Sequence, residues 1–142
     1  MTITICGSMS FAKEILVLRD RLVQVGYTVI VPHDAEEYAA HPELLEEKWD
    51  KKREQDLIRR YFDEIQKSDA ILVLNMTKNS IANYVGGNAF MEMAFAHVLH
   101  KTIYLFHPIP DMHYRDEMMA MQPVVLNGAL TLLYEKANVS TT

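Results

Sequence analysis

Ser68-Asp69-Ala70-Ile71-Leu72-Val73-Leu74 is the most strand-like run in the chain, five apolar residues in a row behind a polar pair. A short, uninterrupted apolar run suits a strand covered on both faces, as in a parallel sheet, and we expect it to be the central strand. On its N-terminal side stands a long charged helical pattern. On its C-terminal side a polar loop, residues 75–84, leads into two glycines and a second helical pattern at 88–101, where Asn88 can serve as the cap.

The same alternation extends to both ends. Residues 2–6 read as a short buried strand. Gly7-Ser8-Met9-Ser10 then turns the chain into a helix over 11–25, whose Ile15, Leu16, Leu18, Leu22 and Val23 form a stripe of period 3.6, with Gly26 at the C-cap position. The β-branched run 27–31 predicts a second strand, also covered on both faces. An acidic connection, 33–42, follows. Residues 43–67 predict one long helix, or two with a break near Trp49, with Leu44, Leu45, Trp49, Leu57, Ile58, Phe62 and Ile65 on the buried side.

Beyond the second glycine helix we expect a strand at 102–106, a loop around Pro108 and Pro110, short helical turns at 116–121 and a fifth strand at 124–126. A helix at 130–136 and a polar tail over 137–142 complete the chain. Strands alternating with helices predict one α/β domain, residues 1–136, built on a parallel sheet of four to five strands with helices on both faces.

Composition narrows the function. A net charge of −5 argues against sequence-independent binding to a nucleic-acid polymer, which needs clustered Lys and Arg. A mononucleotide remains possible, because a few backbone amides can hold one phosphate. Cys6 is the only cysteine, which excludes an intrachain disulfide and a Cys-based zinc site and fits a reducing cytoplasm. No signal peptide is read at the N-terminus. No apolar segment approaches the roughly 20 residues that span a bilayer. His97 and His100 share a helix without nearby carboxylates, so no metal site is expected.

In such sheets ligands bind beyond the carboxyl ends of the strands. Gly7-Ser8, His33-Asp34, Asn75-Met76 and His107 leave the strands at that edge. Strand 70–74 rises roughly 17 Å at ~3.3 Å per residue, and about eleven helical residues at ~1.5 Å each cover that height backwards from Asp69. This lands near Ile58, so Asp56 and Tyr61 are the helix residues able to overhang the site.

Each candidate has a plain structural reading beside the functional one. Gly7-Ser8-Met9-Ser10 offers amides to a phosphate, yet it lacks both G-x-G-x-x-G and the P-loop lysine, and on its own reads more readily as a tight turn with a capping serine. Gly86-Gly87-Asn88 repeats the arrangement at a second helix start, and Glu92 follows one turn later. Glu92 is either a surface carboxylate on a polar strip or a nucleophile for a sugar's anomeric carbon, next to an oxocarbenium-like transition state. Asp56 or Tyr61 would then help the leaving base, or be a solvated charge and a half-buried ring.

Ile5-Cys6-Gly7-Ser8, Ser68-Asp69-Ala70-Ile71-Leu72-Val73, and Gly86-Gly87-Asn88 through Glu92 and Ala96 to Lys101-Thr102-Ile103-Tyr104-Leu105 resemble the nucleoside 2-deoxyribosyltransferase superfamily. That superfamily includes the deoxynucleoside 5′-monophosphate N-glycosidases. The resemblance spans roughly residues 3–107. It implies a flavodoxin-like or Rossmann-like fold, a homo-oligomer (dimer or higher), and no metal or organic cofactor. It places the family's nucleophilic glutamate on Glu92, the 5′-phosphate grip on Gly7, Ser8, Met9 and Ser10, and further substrate contacts on Gly86, Gly87 and Asn88.

The chain departs from the family in three places. Gly86 stands where an aspartate or serine often precedes the glutamate by six residues. Tyr61 stands where the helix aspartate falls, although Glu54-Gln55-Asp56-Leu57 looks like its setting, and Thr4 replaces a first-strand tyrosine.

The expected activity is cleavage or transfer of the N-glycosidic bond of a nucleoside or 5′-nucleotide. The alternatives are a non-catalytic module that binds a nucleotide or nucleotide-derived signal, and an interaction domain using the methionines of segment 117–121.

Overall fold

The computed structural model describes residues 1–46 and 51–140. Five strands form one parallel sheet: β1 (Thr2–Cys6), β2 (Thr28–Ile30), β3 (Ala70–Val73), β4 (Thr102–Leu105) and β5 (Val124–Val125), in the order β2-β1-β3-β4-β5. This is the flavodoxin-like order, whose reversal of direction falls between β1 and β3. Ile3 pairs with Ala70 and Cys6 with Val73, so the two strands end level at that switch point.

The period-2 alternation of the strands feeds two cores. Ile3, Ile5 and Leu72 face α1 (Ala12–Gln24) and α6 (Thr131–Ser140), packing on Ile15, Leu18, Leu22 and Leu133. Cys6, Ile71, Val73, Ile103 and Leu105 face α3 (Lys51–Lys67), α4 (Gly87–Val98) and α5 (Arg115–Ala120), meeting Ile65, Met93, Ala96 and Met118. Helices therefore cover both faces, as the alternation predicts.

Several local expectations are corrected. The acidic connection contains a helix, α2 (Ala35–Ala40), which buries Ala35 and Tyr38 and is tied to α1 by Arg19 Nη1–Glu36 Oε1 at 3.0 Å. A six-residue helix between Pro32 and Pro42 is too short to show a period. β2 is not covered on both faces: it is an edge strand with Thr28 exposed and Val29 and Ile30 half-buried. The last helix runs to Ser140 rather than ending at Lys136, and it buries Ala137. A 3-10 turn, Pro42–Glu46, precedes α3; the break expected near Trp49 lies outside the described residues.

Asn88 is not a helix cap. The N-cap is Gly86, in extended conformation and without a side-chain cap bond, and α4 begins one residue before Asn88. Of the segment 117–121, Met118 is fully buried and Met121 packs against the core, which leaves Met119 as its exposed methionine.

Thr4 is buried, and its Oγ1 lies 2.6 Å from Ser68 Oγ, which in turn donates to the Glu64 carbonyl at 2.8 Å. Thr4 thus ties β1 to the end of α3. Among the described residues no helix is long and apolar enough to cross a membrane.

Candidate active site

Beyond the carboxyl ends of β1 and β3 lies a cavity of about 470 Å³, within the roughly 300–1,000 Å³ range of small-molecule sites. Gly7, Ser8, Met9 and Ser10 line it on one side, and Gly86, Gly87, Asn88 and Glu92 on another. The cavity thus gathers residues that lie some 80 apart in sequence, because the switch point sets the two loops side by side.

Close packing at the strand ends explains the first glycine. A Cβ on Gly7 would sit 3.0 Å from the backbone oxygen of Leu74, so only glycine lets the exits of β1 and β3 approach this closely. Ser8 then caps the 3-10 turn Met9–Phe11, its Oγ accepting from Ser10 N at 3.2 Å. At the second loop the first amides of α4 carry no side-chain cap. Their donors stay available beside the cavity.

Glu92 sits one turn into α4, between the buried Ala89 and Ala96. Buried Met93 locks the helix against the sheet, Phe95 meets Phe62 of α3 edge to face at 5.2 Å, and Phe90 stacks on Tyr114 at 4.3 Å. These contacts fix the helix rotation that aims Glu92 into the cavity. Among the described residues its carboxyl has no hydrogen-bond or ion-pair partner. Burial raises its pKa from 4.5 to about 8, because the ionised form loses solvation without gaining a partner.

Tyr61 lines the same cavity from α3, and its hydroxyl donates to the carbonyl of Ile5 in β1. Burial, with smaller contributions from Cys6 and Glu92, pushes its pKa well up, so the phenol keeps its proton. Cys6 is fully buried and likewise raised, by burial first and by Glu92 second. Glu92, Tyr61 and Cys6 therefore share one poorly solvated corner.

Asp56 is exposed and is not among the residues lining the cavity, whereas Leu57, Ile58, Arg60 and Tyr61 are. Of the other strand-end residues, His33 and Asp34 reach the cavity and Asn75, Met76 and His107 do not. Asn75 is fully buried and holds the main chain of His107.

Sequence reasoning missed Lys78, Tyr84, Arg60 and Tyr38 as lining residues. Lys78 Nζ donates to Ser8 Oγ at 2.8 Å and lies 5.5 Å from the centre of the Tyr84 ring. Asn79-Ser80, two turn-forming residues between Lys78 and Ile81, was the available signal. The Tyr84 ring also occupies the space beside Gly86, where a Cβ would approach it to 3.2 Å.

A solved structure described as the Clostridium botulinum CMP N-glycosidase BcmB superposes on this chain with a TM-score of 0.55 at 12% identity. The match covers 98% of this chain and 99% of that one. The two share an α/β fold over nearly their whole lengths. No protein-family model and no curated protein sequence matches the chain.

Among the described residues no group of three or more His, Cys, Asp or Glu is arranged to hold a metal ion.

Proposed function

We propose that the protein cleaves the N-glycosidic bond of a nucleoside or nucleoside 5′-monophosphate, with Glu92 as nucleophile. One observation carries this reading: an unpartnered carboxyl, held by a rigid helix, opens into a cavity flanked by two amide-bearing turns at the switch point. The fold shared with a CMP N-glycosidase supports the same chemistry.

In this scheme a carboxylate oxygen of Glu92 bonds to the anomeric carbon as the carbon–nitrogen bond breaks, and that electron pair leaves with the base. Water then cleaves the glycosyl ester and completes hydrolysis; a second base in place of water gives transfer. The positive charge that develops on the sugar stabilises the carboxylate at the moment it is needed. Occupied by substrate, the corner therefore favours ionisation more than it does when empty.

Tyr61, its own proton held by Ile5, positions the corner rather than donating to the base. Asp56 has the weaker claim to base assistance, being exposed outside the cavity lining, and Asp34, Tyr38 and His33 are better placed.

A second reading, a nucleotide-binding module without turnover, is favoured by the raised pKa of Glu92, since a neutral carboxyl binds but does not attack. Incubation with a panel of nucleosides and nucleoside 5′-monophosphates separates the two. Release of free base that disappears in Glu92→Gln supports the glycosidase, and saturable binding with no base released supports the module.

A further inference from the structure

Two consecutive glycines open the helix that carries Glu92. Gly86 is the N-cap of α4, without a side-chain cap bond, and Gly87 is its first residue. A Cβ on Gly87 would meet nothing within 4 Å, so no packed neighbour holds that residue. Such a helix start is soft, because glycine restricts the backbone least and no side chain of its own ties it down. The direction in which Glu92 points is therefore set by contacts made just before and just after the glycines.

One side chain makes both contacts. The Tyr114 hydroxyl donates to the carbonyl of Val85, the buried residue that precedes Gly86. Its ring stacks on Phe90, three residues beyond Gly87, with centroids 4.3 Å apart and planes 21° apart. Phe90 precedes Glu92 by two residues, about 200° around a helix, so the stack bears on the side of α4 opposite the carboxyl. Tyr114 is itself anchored. It is the N-cap of α5, its carbonyl accepts from Met118 N at 3.1 Å, and Met118 is buried in the same core as Met93. Tyr114 is not among the residues that line the cavity.

We infer that Tyr114 is a positioning residue for Glu92, gripping Val85 and Phe90 at once so that the start of α4 keeps its carboxyl aimed into the cavity. This rests on reading Glu92 as the nucleophile. Tyr114 touches no ligand and acts only through the two residues it holds. Without it the glycines can turn, and a misplacement of roughly 1 Å at the reacting atoms costs up to about 100-fold in rate. The cavity walls contributed by other elements still bind substrate, so the loss falls on kcat rather than on KM.

Two variants of the full chain test this. Tyr114→Phe keeps the ring and deletes the Val85 bond, and Tyr114→Leu removes the stack as well. At pH 9, above the pKa of Glu92, kcat for base release from nucleoside 5′-monophosphates should fall about 10-fold in the first and about 100-fold in the second, with KM within about threefold. Carbon-13 NMR follows the Glu92 carboxyl directly, its signal assigned by its loss in Glu92→Gln. Its titration should move down from about 8 toward 4.5 as the displaced carboxyl gains water; Tyr61 and Cys6 are the titratable groups beside it. Thr4→Val, which breaks a bond distant from the cavity, is the control and should leave kcat and the titration unchanged.

Melting temperatures verify that the variants fold. A kcat and a Glu92 titration that stay natural in both Tyr114 variants, with only the melting temperature lowered, overturn the inference, as do equal changes in Thr4→Val. A Glu92 titration shifted by Tyr114→Phe in a protein that releases no base supports the positioning role while defeating the glycosidase reading. Glu92-dependent base release that is indifferent to Tyr114 does the reverse.

Discussion

The side chain of Asn75 completes both hydrogen bonds of His107: Oδ1 accepts from His107 N at 2.8 Å and Nδ2 donates to His107 O at 2.9 Å. Asn75 thereby continues the ladder between β3 and β4 for one more step, in a place where no strand follows. Nδ2 also approaches Pro108 O at 3.2 Å. Since Asn75 is fully buried, Asn75→Ala strands several main-chain groups without partners. We predict a loss of about 2–4 kcal/mol in urea unfolding. Asn75→Asp, which keeps the acceptor but not the donor, should recover only part of it.

Glu92 makes stability depend on pH in a defined direction. Its pKa is 4.5 as an ordinary glutamate and about 8 in the folded protein, so between these values the native state holds a proton that the unfolded chain has lost. The contribution of Glu92 is therefore fully present below about pH 4.5, declines as pH rises, and is gone above about 8. Glu92→Gln stays neutral throughout. Its stability relative to the natural protein should rise across that window, by on the order of a few kcal/mol, reduced by whatever water the cavity admits. Urea unfolding at pH 5, 7 and 9 measures it, and a constant difference contradicts the unpartnered burial of this carboxyl.

If the ionised form attacks, kcat/KM must rise with pH through the pKa that Glu92 has in the free protein, about 8. A rate independent of pH between 6 and 9 would exclude ionisation of Glu92 as the controlling step.

Gly7→Ala places a methyl group 3.0 Å from Leu74 O, a backbone atom that cannot swing aside. The exits of β1 and β3 must separate. We expect a cost of about 1–3 kcal/mol together with weakened ligand binding. Thr4→Val, by contrast, removes only the bond from mid-β1 to Ser68, which precedes β3 at the sheet edge away from the cavity; it should cost about 1 kcal/mol and leave ligand binding unchanged.

The strands were legible because each is a short apolar run, and the switch-point rule was enough to bring residues 7–10 and 86–92 to one cavity edge. The apolar runs did not reveal which strand lies at the sheet edge, since β2 looks as apolar as a covered strand. Rise along α3 located the right turn near Ile58, but not the rotation. Asp56 and Tyr61 are five residues apart, about 140° around a helix, so one facing the cavity turns the other toward solvent. Lys78 escaped notice because its position depends on a hairpin turn and a contact 70 residues distant, neither of which leaves a periodic trace.

The most direct test is the rate of free-base release from nucleoside 5′-monophosphates at pH 8, for the natural protein and for Glu92→Gln at equal folded concentration. Base released by the natural protein, with a loss of at least about 10³-fold in the variant, is the predicted result. Release undiminished by the substitution, or no release from any monophosphate by the natural protein, contradicts a glutamate nucleophile in this cavity.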